Sequence, residues 1–190
     1  MSCHTKNSLS VVAMLAIGAC ATTTTVAPGT PSPPVDSSLE AVIQPLGASA
    51  VTGQLLFTAG EHGVLIEGTI QGLSPGSRHG FHVHEIGDCS DPQGKSAGGH
   101  FNPSGHSHGG LEQASSHLGD LGNIEADAAG TAKIVLVKSG ATLKDGPNAY
   151  LGRSVIVHEA PDDFVTQPTG NSGARVACGV IRVRTPGHQD

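Results

Sequence analysis

"GFHVHEIGDC", Gly80 to Cys89, sets two histidines one residue apart in an apolar run and follows them with two acids and a cysteine. Alternate residues of a β-strand share a face, so the stretch predicts a strand on which His82 and His84 project together while Val83 packs on the other side. Two imidazoles on one rigid face form a bidentate platform for a metal. An isolated pair of this kind is more often one core and one surface histidine, so the surroundings decide.

Outward from that strand the chain keeps a short, strand-like period. "SAVTGQLLF", "GVLIEGTI", "HGFHVHE", "LGNIEA", "AKIVLV", "RSVIVHE" and "RVACGVIRV" are β-rich runs separated by Gly, Pro, Asn and Asp. No long stretch repeats apolar residues at helical spacing. Seven or more short strands divided by such turns predict an all-β antiparallel sandwich or barrel. Two connections are longer than a hairpin needs, one from about Ile86 to Ser116 and the other from about Glu159 to Ala174. Loops of that length in a compact domain are usually functional or disordered.

The N-terminal part reads differently. Met1 to Cys20 carries Lys6, the apolar run Leu9 to Ile17 and a small-residue end, the layout of an export signal. That run is too short to span a membrane as a helix, which takes about 20 apolar residues. Its end, Ile17-Gly18-Ala19-Cys20, resembles the lipobox of bacterial lipoproteins, in which the cysteine becomes the lipidated first residue. Ordinary cleavage after Ala21 is the alternative. Residues 21–38, opening with "ATTTTVAPGTPSPPV", cannot bury a core and read as a Thr/Pro-rich tether. Residues 39–190 are then one folded domain, outside the cytoplasm in the periplasm or cell envelope, touching a membrane only through lipid at Cys20. Cys3 leaves with the signal and Cys20 takes lipid, so Cys89 and Cys178 remain, and in an oxidising compartment such a pair usually forms a disulfide.

The formal charge is -6, there is no basic run, and the aromatics are one Tyr and four Phe. Nucleic acid is therefore not an expected partner. Eleven histidines are a different matter. His100 stands in "GGHFNP", His108 in "HSHGG", His117 in "SSHLGDLGN" with Asp120 three residues on, and His158 closes "SVIVHE". An all-imidazole set with an open position suits copper, and imidazoles with one carboxylate suit zinc.

With these blocks together the chain resembles bacterial copper/zinc superoxide dismutases from about residue 40 to residue 184. "GFHVHEIGDC", "AGGHFNP", "HGG", "SSHLGDLGN", "IVHEAPDD" and "GNSGARVACGVI" stand in the family's order and at its spacing. The resemblance implies a Greek-key β-sandwich or flattened barrel of about eight strands, with one copper and one zinc per subunit. It implies copper on His82, His84, His100 and His158, zinc on His100, His108, His117 and Asp120, and His100 bridging the two. It further implies that Asp162 links His82 to His108, that Cys89 and Cys178 form the disulfide, and that Arg175 receives the anionic substrate, superoxide. In the family the bridging histidine, here His100, takes up and delivers a proton during turnover. Relatives use different dimer surfaces and some are monomers, which leaves a homodimer open.

Several residues stand apart from that pattern. In "SGHSHGG" spacing selects His108 as the ligand and leaves His106 at the surface; His62, His79 and His188 match no ligand position and are expected to be solvent-exposed. Val165 stands where many bacterial relatives carry a lysine that attracts substrate, predicting weaker steering. Lys95, Lys138 and Lys144 are expected to be solvated surface charges. An exported copper/zinc-binding module without turnover is the alternative function; it would be marked by loss of a copper ligand or of the arginine, and neither is missing.

Overall fold

The computed structural model describes residues 38–185; the signal, nearly all of the tether, Cys20 and His188 lie outside them. Nine strands run β1 Leu39–Pro45, β2 Thr52–Ala59, β3 Gly63–Gln71, β4 Arg78–His84, β5 Asp120–Glu125, β6 Ala132–Ser139, β7 Ser154–His158, β8 Arg175–Val180 and the two-residue β9 Arg182–Val183. Among the described residues the one helical piece is a 3-10 turn, Lys95–Ala97. All the strand pairings are antiparallel, in the order β5-β4-β7-β8-β1-β2-β3-β6, with β9 beside β1. Eight strands thus form a nearly closed barrel. The β3–β4 and β6–β7 connections cross between its halves, which is the Greek-key pattern.

Strand parity positions the site. On β4, Phe81 and Val83 are fully buried in the main core, while His82 and His84 point to the opposite face and are equally inaccessible. That second face is covered by the two long connections, which run 85–119 and 159–174. On β7 the same alternation sends Val155 and Val157 inward and His158 outward. The register sets His158 across from Arg175, so both side chains start on one face.

The first loop is pinned to the barrel one residue at a time. Phe101 donates its N–H to the Val83 carbonyl, Gly119 donates to Phe101 O, and Val83 donates to Gly119 O, each at 2.8 Å. Phe101 itself is buried against Tyr150, whose hydroxyl donates to Leu118 O at 2.8 Å. A Cβ on Gly119 would come within 2.1 Å of Val83 O, so this close approach requires glycine. The disulfide Cys89–Cys178, with Cα atoms 5.8 Å apart, ties the same loop to β8.

Three expectations change. Strand β1 precedes the first run read as a strand; Glu40 and Pro45 obscure its alternation, and the buried Glu40 carboxylate accepts from Arg182 Nε at 3.2 Å. His79 is buried, not exposed: its ring meets Ser77 Oγ at 2.7 Å and the His158 carbonyl at 2.7 Å. Lys138 is only 5% exposed, because β6 alternates and Ala132, Ile134, Leu136 and Lys138 all fall on its inward side.

Candidate metal centre

Two four-residue groups converge beneath the loops: His82, His84, His100 and His158, and His100, His108, His117 and Asp120. Within each, one ligand atom per residue lies within 4.8 Å of the others, and every member is buried. His100 belongs to both.

The hydrogen bonds fix which ring nitrogen each histidine offers. His82 Nε2 donates to Asp162 Oδ2 at 2.7 Å, His84 Nδ1 to Gly98 O at 3.0 Å and His158 Nδ1 to Gly173 O at 3.3 Å. Their other nitrogens, His82 Nδ1, His84 Nε2 and His158 Nε2, are buried and unpartnered, as is His100 Nε2. A buried polar atom without a partner is costly, and four aimed at one place fit a cation that accepts their lone pairs. Among the described residues no carboxylate joins this set, so its donors suit a borderline or soft ion that prefers imidazole.

The second group is built around a carboxylate. Asp120 Oδ1 lies 2.9 Å from His100 Nδ1, 3.0 Å from His108 Nδ1 and 3.3 Å from His117 Nδ1, the last without hydrogen-bond geometry. Tetrahedral zinc with ligands at about 2.0–2.1 Å has edges of roughly 3.3 Å, so these separations suit zinc. Asp120 Oδ2 is meanwhile occupied, accepting the N–H groups of Gly109 at 3.0 Å and His117 at 2.9 Å. One oxygen is oriented by backbone and the other is left for the ion.

Protonation separates the groups. Burial pushes His84 and His158 well below the ordinary imidazole range, pushes His82 down, and holds His100 at about 4. For His108 burial acts the same way, but the Asp120 and Asp162 carboxylates on its two ring nitrogens win and raise it to about 9. Such a ring carries either a second proton or a metal in its place. Asp120 and Asp162 are both held below the usual carboxylate range: burial opposes this, and the histidines hydrogen-bonded to them outweigh it.

Asp162 joins the two groups, since its Oδ1 accepts from His108 Nε2 at 2.9 Å while Oδ2 serves His82. Around it the second loop turns at Gly170, whose φ is +66° and where a Cβ would fall 1.9 Å from Asp162 Oδ1. Arg175 stands beside the all-histidine set: its guanidinium donates to Gly94 O and to Gly98 O, the carbonyl that His84 also uses. Its charge helps depress both His84 and His158.

The structure therefore brings together every metal-site residue singled out in the sequence, while exposed His62 and His106 stay outside both groups. Gln167 escaped that reading. Its amide accepts the His108 N–H at 2.8 Å and donates to His108 O at 3.0 Å, clamping one loop to the other. No local sequence signal pairs residues 59 apart in this way.

Comparison with known proteins gives a consistent result. Residues 51–181 match the family described as copper/zinc superoxide dismutase (SODC). The chain is 44% identical over 124 residues to Cu-Zn superoxide dismutase 2 of Aquifex aeolicus (strain VF5), covering 63% of this chain and 72% of that protein. It is also similar to the crystal structure of the clock protein EA4, with a TM-score of 0.70 at 39% identity, over 78% of this chain and 96% of the other.

Proposed function

The chain belongs to the copper/zinc superoxide dismutase family, and from that membership we propose how its residues divide the work. The protein is an enzyme that converts superoxide to dioxygen and hydrogen peroxide, with copper and zinc as cofactors. Copper, when bound, supplies the alternating one-electron reduction and oxidation, and zinc, having no second accessible oxidation state, supplies charge and structure.

Four imidazoles, His82, His84, His100 and His158, hold the copper. The observation that carries this reading is the convergence of their four unpartnered nitrogens. His100, His108, His117 and Asp120 hold the zinc. Hydrogen bonds to Asp162, Gly98 O and Gly173 O fix the tautomers and ring orientations of the copper histidines. Arg175 receives the anion: its guanidinium is anchored on Gly94 O and Gly98 O, so it presents a fixed charge beside His84, with Asp91 acting on it only at a distance. His100 Nε2 is the atom that would take up and deliver a proton whenever the copper is not on it, since its Nδ1 is fixed on the Asp120 side. Field focusing matters for an acidic protein acting on an anion, and the general magnitude, about 10 to 10³-fold in association rate, is one for which superoxide dismutase is itself a cited example.

The decisive test is turnover by purified mature protein loaded with copper and zinc, beside a zinc-only sample and a His82→Ala variant. Fast dismutation that needs copper and disappears in the variant is expected. Stoichiometric metal binding without turnover would defeat the assignment of Arg175 and His100.

Cellular placement follows from residues 1–38. The chain is exported and carried as a lipoprotein on Cys20, in the periplasm or cell envelope, with 21–38 as its tether; the mass of the mature N-terminal peptide tests this. Nucleic acid is not a partner, as the charge and the scarcity of aromatics argue. We also infer a homodimer. Ile86, Leu151 and Val183 are large exposed apolar side chains on segments bonded to each other, Ser154 Oγ to Ile86 O at 2.7 Å and Gly152 N to Ile181 O at 3.0 Å. Sedimentation of wild type against Ile86→Glu checks it.

A further inference from the structure

Lys138 is the one inward position of β6 filled by a charge, where Ala132, Ile134 and Leu136 supply the others. Taking an ammonium out of water costs several kcal/mol, and an apolar side chain of the same length would fill the position without that cost. Among the described residues the lysine forms no direct ion pair. Its Nζ donates to the Asp120 carbonyl at 2.9 Å and approaches Ser116 Oγ at 3.3 Å.

Those two acceptors stand at the two ends of one short turn. Ser116 precedes His117, and Asp120 closes the turn by accepting the His117 N–H on its carboxylate and by donating its own N–H to His117 O at 3.1 Å. The turn carries two of the four zinc-set residues, and the carboxylate and ring must converge within it. Nothing else on β6 reaches it through a side-chain hydrogen bond. The Asp120 carbonyl is also where β5 begins, so the clamp joins the turn to the barrel.

We propose that Lys138 is a positioning residue for zinc, a buried cation that spans the Ser116–Asp120 turn from behind and holds His117 and Asp120 in their convergent arrangement. The inference rests on the zinc assignment above. Lys138 touches neither the ion nor the substrate, and acts through Asp120.

The test compares wild type, Lys138→Met and Asp120→Asn in the full mature protein, measuring zinc affinity by chelator competition and melting temperature with and without zinc. Outer partners of metal ligands typically contribute 10–100-fold to affinity, and a loss in that range is expected for Lys138→Met. Copper binding to zinc-free protein should not change, and the stabilisation conferred by zinc should shrink. Equal falls in melting temperature with and without zinc, or an unchanged zinc affinity, overturn the proposal. Should the methionine variant not fold, Ser116→Ala decides, since it leaves the lysine in place and removes one end of the clamp: weaker zinc binding supports the proposal and unchanged binding overturns it. If Asp120→Asn also binds zinc as wild type does, the zinc assignment fails and this inference with it; a loss in Asp120→Asn alone defeats only the role of Lys138.

Discussion

The two histidine groups share a residue yet are built by opposite means. Three residues of the all-histidine group, His82, His84 and His158, stand on β4 and β7, whose backbone ladders fix them, and burial keeps them neutral. The carboxylate-containing group hangs almost entirely on the first loop, and Asp120 with its depressed carboxyl compensates charge there. A strand-borne set is organised before a metal arrives. A loop-borne set needs anchors, which is why Phe101, Tyr150, Gln167 and the Cys89–Cys178 bridge all converge on that loop. The contrast teaches that rigidity can come from the sheet at one site and from stitched loops at its neighbour.

Acid should expose the contrast most strongly. In metal-free protein the folded His100 titrates near 4 and the unfolded ring near 6.5. The unfolded state therefore binds more protons between those values, and stability falls as pH drops through that window, by on the order of 3 kcal/mol from this ring alone. His82, His84 and His158 act in the same direction. His108, raised from 6.5 to about 9, is largely protonated in both states across the window and contributes little slope there; its stabilisation is fully present below 6.5 and is lost as pH rises from 6.5 to about 9. Thermal melts of metal-free protein from pH 7 to 4 check this, and a flat profile would break the distinction.

Asp162→Asn should have the next largest effect, because an amide has one acceptor oxygen for two ring N–H donors. Affinity for both metals is expected to fall about 10–100-fold. A loss confined to one metal would show that the carboxylate serves one group only. The smallest change is expected from Val165→Lys. This exposed position should raise kcat/KM at low salt by no more than about tenfold and steepen its decline with added salt, while zinc affinity stays as it was. A rate indifferent to both the substitution and salt would argue against steering at this loop.

Much of this was legible in the sequence because ligand residues come in short blocks: His82 and His84 share a strand face by parity, and "SSHLGDLGN" delivers a ring and a carboxylate three residues apart. The long connection at 159–174 was placed by the end of one apolar run and the start of the next. What escaped depended on contacts between distant segments. Glu40 made β1 look unlike a strand because its partner, Arg182, lies far along the chain. In the sequence His79 reads as a surface residue, since nothing nearby announces the His158 carbonyl. Lys138 could have been found: the inward alternation of Ala132, Ile134 and Leu136 reaches it two residues later.

His100 presents Nε2 to one group and Nδ1 to the other. A ring fixed by the first ion no longer has to be ordered for the second, so the two occupancies form a single linked equilibrium. Linkage then demands reciprocity: the factor by which zinc strengthens copper binding equals the factor by which copper strengthens zinc binding. Titrations begun with either metal must reach the same total free energy, and the enzyme's memory of which ion came first is kinetic alone.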